Sequence, residues 1–184
     1  EWKPTRVPSL IGRVEGRPFL WYRTSFETPP KAAGERLVLR IGASRFVTTV
    51  LVNGTEVGSH RGGWEPFETE ITGACKPDAQ NVLLVWAQDV TGVIDQDMSA
   101  AAQRGERYID LADDSVMTPV GSRYSDVGIW QPVTLFTRGD VFLDDVFVKT
   151  SVRQSAIQVD YALKNLAAEP KQVTLASHVA DTAV

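Results

Sequence analysis

Ile157, Val159, Tyr161 and Leu163 alternate with Gln158, Asp160 and Lys164. Such period-two patterning puts every apolar side chain on one face of an extended chain and suits no helix. The same signature recurs along the sequence. Phe19 to Thr28 reads as a strand with Leu20, Tyr22 and Phe26 on one face. Leu37, Leu39 and Ile41 alternate with Val38 and Arg40. Phe46 to Val52 is rich in β-branched residues, Asn53-Gly54 is the dipeptide of a type I′ hairpin, and Glu56 to His60 returns from it. Val82 to Ala87 is apolar at every position, which predicts a central strand covered on both faces. Val133, Leu135, Val141 to Lys149, and Val173 with Leu175 continue the pattern. Turn signals at Pro29-Pro30, Gly34, Pro77-Asp78 and Gly139-Asp140 separate these runs. Short strands at this spacing predict an all-β sandwich.

Residues 91–127 carry no strand pattern. Asp97 to Arg104 is the one helical stretch there, with Asp97 or Ser99 as its cap. A connection this long in a compact domain is uncommon and often functional. A domain boundary is expected near Arg138 to Asp140. The remaining ~45 residues supply about three strands, where an immunoglobulin-like sandwich needs about seven. Both ends read as parts of larger units: residues 139–184 as an incomplete sandwich, and residues 1–138 as a sandwich short of its N-terminal strand.

The chain is 43% hydrophobic, enough for a packed core. Its net charge of −4 and lack of a basic run argue against nucleic acid as a partner. No apolar stretch approaches the ~20 residues of a membrane-spanning helix, so no membrane partner is expected. Cys75 is the lone cysteine, which excludes an internal disulfide framework. His60 and His178 have no second histidine or cysteine at metal spacing, so neither zinc nor another cofactor is expected.

Four motifs occur in order: "WYRTSF" at 21–26, "LVLRIGASRFVTTVLVNGTEVGSHRGGWEPFETEIT" at 37–72, "NVLLVWAQD" at 81–89 and "VGIWQPVTL" at 127–135. Together they resemble the N-terminal sugar-binding domain of glycoside hydrolase family 2. "DVFLDDVFVKTSV" at 140–152 resembles the start of that family's next domain. The resemblance implies a galactose-binding-like jelly roll over residues 1–138, then part of an immunoglobulin-like sandwich over 139–184. The stretch "SRYSDVGIWQPVTL" and the long segment before it look most like the exo-β-glucosaminidase and β-mannosidase branches.

The segment "HRGGWEPF" at 60–67 follows the predicted hairpin. There the chain has to turn sharply between sheets, and Gly62 and Gly63 are expected to allow positive φ. Trp64 then covers the corner, with Pro66 fixing the exit and Phe67 returning to the core. The competing reading is that Trp64 stacks on a sugar ring. Trp21, Trp86 and Trp130 lie in strand-like context and are expected in the core, with exposed contact roles as the second reading. Asn53-Gly54-Thr55 is a formal glycosylation sequon, better explained by the turn. Asp95, Asp97, Asp110, Asp113, Asp114 and Asp126 concentrate acidity, either as a solvated loop or as a rim for a cation or cationic sugar.

No catalytic residue is expected in this chain. Retaining glycosidases use two carboxyl groups about 5 Å apart, and the resemblance places them as glutamates on a separate (β/α)₈ barrel. Such a barrel needs roughly 250 residues of alternating strands and helices, and no such alternation occurs here. The implied role is a non-catalytic accessory part of an enzyme acting on β-linked sugars. Its partners would be that barrel, in the same parent chain, and the carbohydrate substrate. The region before Gly128 does not reproduce the β-galactosidase pattern, in which aspartates precede a tryptophan, so sodium binding of that type is not expected. Arg123, Tyr124 and Asp126, which combine a donor, a stacking face and charge, join Trp64 as substrate-contact candidates. The competing functions are a stand-alone carbohydrate-binding module and a cell-surface adhesion pair of sandwiches.

Overall fold

A computed structural model describes residues 1–9, 19–89 and 127–178. The chain divides into two compact units. The first holds Glu1–Ala32 and Arg36–Thr137; the second holds Ala33–Glu35 and Arg138–Val184. Ten strands run in chain order: β1 Phe19–Glu27, β2 Glu35–Ile41, β3 Ser44–Val52, β4 Thr55–Gly62, β5 Phe67–Glu70, β6 Gln80–Gln88, β7 Gly128–Ile129, β8 Val133–Gly139, β9 Val141–Ser151 and β10 Ala156–Asn165. The 3₁₀ turn Thr72–Ala74 follows β5. The fold is all-β, as expected.

The first unit is a sandwich of two sheets, one ordered β1-β6-β3-β4 with β7 added to β3, the other β5-β2-β8. Antiparallel register aligns the inward residues of the first sheet: Tyr22 opposite Val85, Val85 opposite Val50, and Leu83 opposite Val52. Leu37, Leu39 and Ile41 of β2 meet them, and with Ile71 and Ile129 they form the buried cluster. Each such side chain contributes about 1.5–3 kcal/mol by leaving water.

The Asn53-Gly54 turn forms as expected. Both residues have positive φ, 52° and 85°, as a type I′ turn requires. The Asn53 amide is also a tertiary anchor. Its Nδ2 donates to Ala74 O at 2.8 Å and Asn81 Oδ1 at 2.7 Å, while its Oδ1 accepts from Val82 N at 3.0 Å. Asn81 is fully buried, and its Nδ2 donates to Thr28 Oγ1 and Ala79 O. A buried amide is tolerable because its hydrogen-bonding groups are engaged.

β6 is central in its sheet, but only one face is sealed. Asn81, Leu83, Val85 and Ala87 are buried, whereas Val82, Leu84 and Trp86 are half-buried. Trp21 and Trp86 are cross-strand partners on the outer face, 6.5 Å apart, and Trp21 is 47% exposed. Core placement of these two tryptophans is therefore corrected. The inner face already pairs residues 20, 22 and 26 with β6, and strict alternation sends residue 21 outward.

In the second unit β9 and β10 form an antiparallel hairpin. Residues 171–178 join no strand, and Val173 and Leu175 are 48% and 44% exposed. Alternation at 173–175 does not make a strand without a neighbour to accept its hydrogen bonds. The helix expected over 97–104 lies outside the described residues.

Candidate functional site: an aromatic corner

β4 belongs to one sheet and β5 to the other, so residues 63–66 carry the chain across the sandwich. The sharp corner is as expected, but its mechanism differs. Positive φ among the described glycines occurs at Gly34, Gly54 and Gly128, not at Gly62 or Gly63. Glycine at 62 answers crowding instead. A Cβ there would lie 2.0 Å from Glu65 Oε1 and 2.7 Å from His60 Nε2. At Gly63 a Cβ would meet Arg45 Cγ at an ordinary 3.5 Å.

The space kept open by Gly62 lets Glu65 fold back over the corner. Its Oε2 accepts from Trp64 N at 3.1 Å, and its Oε1 lies 3.3 Å from His60 Nε2. That second approach suits charge attraction once His60 is protonated, although it is not aligned as a hydrogen bond. Glu65's own amide, then the Trp64 amide, holds its carboxyl below the usual range against slight desolvation, with His60 and Gly63 adding to the effect. His60 stacks on Phe67, 4.5 Å between centroids and 12° from parallel. The sequence shows His60 as solitary because its partners are a glutamate and a phenylalanine, not the second histidine or cysteine that a zinc site would signal.

Trp64 projects from this corner and is 47% exposed. Its ring meets Trp130 edge-on, 5.0 Å between centroids at 65°, a favoured geometry for aromatic pairs. The Arg45 guanidinium lies 5.6 Å from the Trp64 centroid. Trp130 is fixed from both ends. Its backbone N donates to Ala43 O at 3.1 Å and its Nε1 to Gly63 O at 2.7 Å. Trp130 is thus half-buried beneath Trp64 rather than in the core, because β7 ends at Ile129, the last inward residue.

A cleft of about 440 Å³ opens beside the pair, between Trp64 and Pro66 on one side and Gln131, Pro132 and Thr134 on the other, with Arg40 at its rim. Gly42 makes the walls approach closely. Its N donates to Pro132 O at 2.9 Å, and a Cβ would lie 2.8 Å from Gln131 Cβ. The volume falls in the range of small-ligand sites. An aromatic platform beside amide and guanidinium donors can bind a ring that carries hydroxyls.

Among the contact candidates, Trp64 sits at this corner; Arg123, Tyr124 and Asp126 lie outside the described residues. Cys75 is half-buried, and burial pushes its thiol above the ordinary value, so it makes little thiolate at neutral pH. No cluster of three potential metal-ligating side chains occurs among the described residues.

No protein-family model matches the chain. The chain is 26% identical over 155 residues to a β-glucuronidase of Paenibacillus borealis, covering 79% of this chain and 24% of that protein. It is 27% identical over 158 residues to β-glucuronidase of Homo sapiens, covering 79% and 23%. Among solved structures, a putative β-galactosidase of Bacteroides fragilis superposes with a TM-score of 0.63 at 20% identity, over 90% of this chain and 24% of that one. Bacteroides uniformis β-glucuronidase 3 gives the same TM-score at 16% identity, over 90% and 22%. These likenesses support the β-sandwich fold. The chain is similar to β-glucuronidases and spans about a quarter of the length of the curated relatives it matches.

Proposed function

We propose that this chain is a non-catalytic accessory part of a glycoside hydrolase of family 2 that acts on β-linked sugars. The observation that carries the reading is the Trp64–Trp130 corner with its cleft, in a chain similar to β-glucuronidases over a quarter of their length. In this reading residues 1–138 are the sugar-binding domain and residues 139–184 belong to an immunoglobulin-like domain. The corner borders the catalytic barrel of the same polypeptide, where Trp64 contacts the bound sugar. Arg123, Tyr124 and Asp126 join it there, supplying donors, a stacking face and charge. β-Glucuronides are the first substrates to test, since the curated relatives reported above are β-glucuronidases. β-Glucosaminides and β-mannosides come next, following the resemblance of residues 122–135 to those branches.

The test uses the parent enzyme and the isolated chain together. The isolated chain should hydrolyse no aryl β-glycoside. In the parent enzyme, Trp64→Ala should lower kcat/KM for its aryl β-glycoside by about 10–100-fold, the scale of a lost positioning contact. Hydrolysis by the isolated chain overturns the accessory reading. Unchanged kcat/KM in a folded Trp64→Ala enzyme removes the sugar contact. The exposed ring of Trp64 also favours a second reading, a carbohydrate-binding module in its own right. That reading requires saturable binding of oligosaccharide to the isolated chain, abolished by Trp64→Ala.

A further inference from the structure

The first unit holds a second cavity, away from the corner. It measures about 670 Å³ and follows the edge of β1 that, among the described residues, pairs with no strand. Its inner wall comes from Tyr22, Leu83, Val85 and Ile129, and Trp2, Lys3, Trp21 and Arg23 line it as well. Trp2 and Trp21 are 55% and 47% exposed, large indoles left at a rim rather than packed away. The Arg23 guanidinium stands 6.0 Å from the Trp2 ring centroid.

The chemistry of this lining is selective. Two cations and no carboxylate line the cavity among the described residues, in a chain whose net charge is −4. The local field thus opposes the overall one and favours an anion. The inner wall is aliphatic apart from the buried Tyr22 Oη, which faces the Ile129 backbone amide without an aligned hydrogen bond. A sugar, with hydroxyls around its ring, would leave several of them unmatched against Leu83, Val85 and Ile129. A flat apolar ring loses nothing there, and indoles give it stacking faces.

We propose that this cavity binds a small aromatic carboxylate at the open edge of β1, its ring against the aliphatic wall with the Trp2 and Trp21 indoles at the rim, and its carboxylate outside at Arg23 and Lys3. The Tyr22 phenol, pushed above its ordinary value by burial with the Ile129 amide opposing, stays a neutral hydroxyl at physiological pH and adds no negative charge to the cavity. The site is separate from the aromatic corner and does not rest on the enzyme reading.

Calorimetric titration of the 184-residue chain with 2-naphthoate tests it, alongside 2-naphthol and methyl β-D-glucuronide. Saturable one-to-one binding of 2-naphthoate is expected. It should weaken about tenfold in Arg23→Gln and for uncharged 2-naphthol, the scale of one lost charge-assisted contact. Arg23 and Lys3 are exposed, so Arg23→Gln and Lys3→Gln should keep the fold, checked by circular dichroism. In NMR spectra the Trp2 and Trp21 indole N–H signals should shift while those of Trp64 and Trp130 stay in place. Absence of saturation, equal affinity in both variants, tighter binding of methyl β-D-glucuronide, or shifts confined to Trp64 and Trp130 overturns the proposal.

Discussion

Gly62 and Gly63 are adjacent, yet the structure gives them opposite roles. Alanine at 62 would drive its Cβ into Glu65 and His60 and dislodge the carboxylate that holds the Trp64 amide. Because Glu65 is an exposed side chain that can swing away, the cost should be moderate, about 1 kcal/mol for one charge-assisted hydrogen bond. Gly63→Ala meets ordinary contacts at unstrained φ, so lower unfolded-state entropy should make it neutral or stabilising by up to about 1 kcal/mol. Urea denaturation of both variants checks the pair; equal destabilisation would contradict the crowding account. Asn53→Ala should cost more, about 2–4 kcal/mol. It strands the Val82 N–H and puts a Cβ residue at positive φ without the local hydrogen bonds that favour asparagine there. The same denaturation series measures it.

At the scale of elements, the β9–β10 hairpin shows how one residue sets a face. Register shifts between Ala162 and Leu163, so that Ala162 pairs with Asp145 and Leu163 with Leu143, leaving Asp144 as the extra residue of a bulge. Without it, alternation would turn Asp144 toward the face that carries Val146 and Val148. With it, Leu143, Val146 and Val148 share a face with Ile157, Val159, Tyr161 and Leu163. The opposite face carries the Lys149–Asp160 and Lys164–Asp144 ion pairs. The apolar face is open in the second unit, with Leu143, Val146, Val148, Ile157 and Leu163 each 45–54% exposed. A bare two-stranded hairpin with such a face invites self-association. Val148→Lys should therefore reduce association of the isolated chain in sedimentation, whereas Gln158→Lys on the polar face should not. The hairpin also predicts a pH effect. Hydrogen bonds from Lys149 and then Gln158 hold the Asp160 carboxyl below its ordinary value, against slight desolvation. A depressed carboxylate stabilises the fold above its unfolded pKa and loses that contribution as pH falls through the folded one. NMR titration should find the Asp160 midpoint below about 3.9, rising toward that value in Lys149→Ala.

For the whole molecule, the accessory reading makes a prediction about residues 91–127, which the sequence marks as too long for a plain connector. Deleting residues 95–120 from the parent enzyme should lower kcat/KM by at least about tenfold while shifting the unfolding midpoint little, because remote contacts position the transition state. Steady-state kinetics with a thermal melt separates the two effects. Unchanged kinetics would reduce the segment to a solvated loop.

Sequence alone determined most of the strands, the hairpin at Asn53-Gly54 and the corner after it, because each is written in local terms: period-two alternation, a dipeptide suited to positive φ, and glycines beside a proline. Short alternating strands at this spacing also indicated the all-β class. The tertiary structure decided what depends on partners distant in the chain. It turned Trp21 outward, since register with β6 had committed the other face of β1 to the core. It set Trp64 against Trp130, 66 residues on, through the pairing of β3 with β7. It joined His60 to Glu65 across a space that only a residue without Cβ leaves open. Alternation assigns a side chain to a face, but which face is buried depends on the sheet packed against it, and that sheet is assembled from strands far apart in sequence.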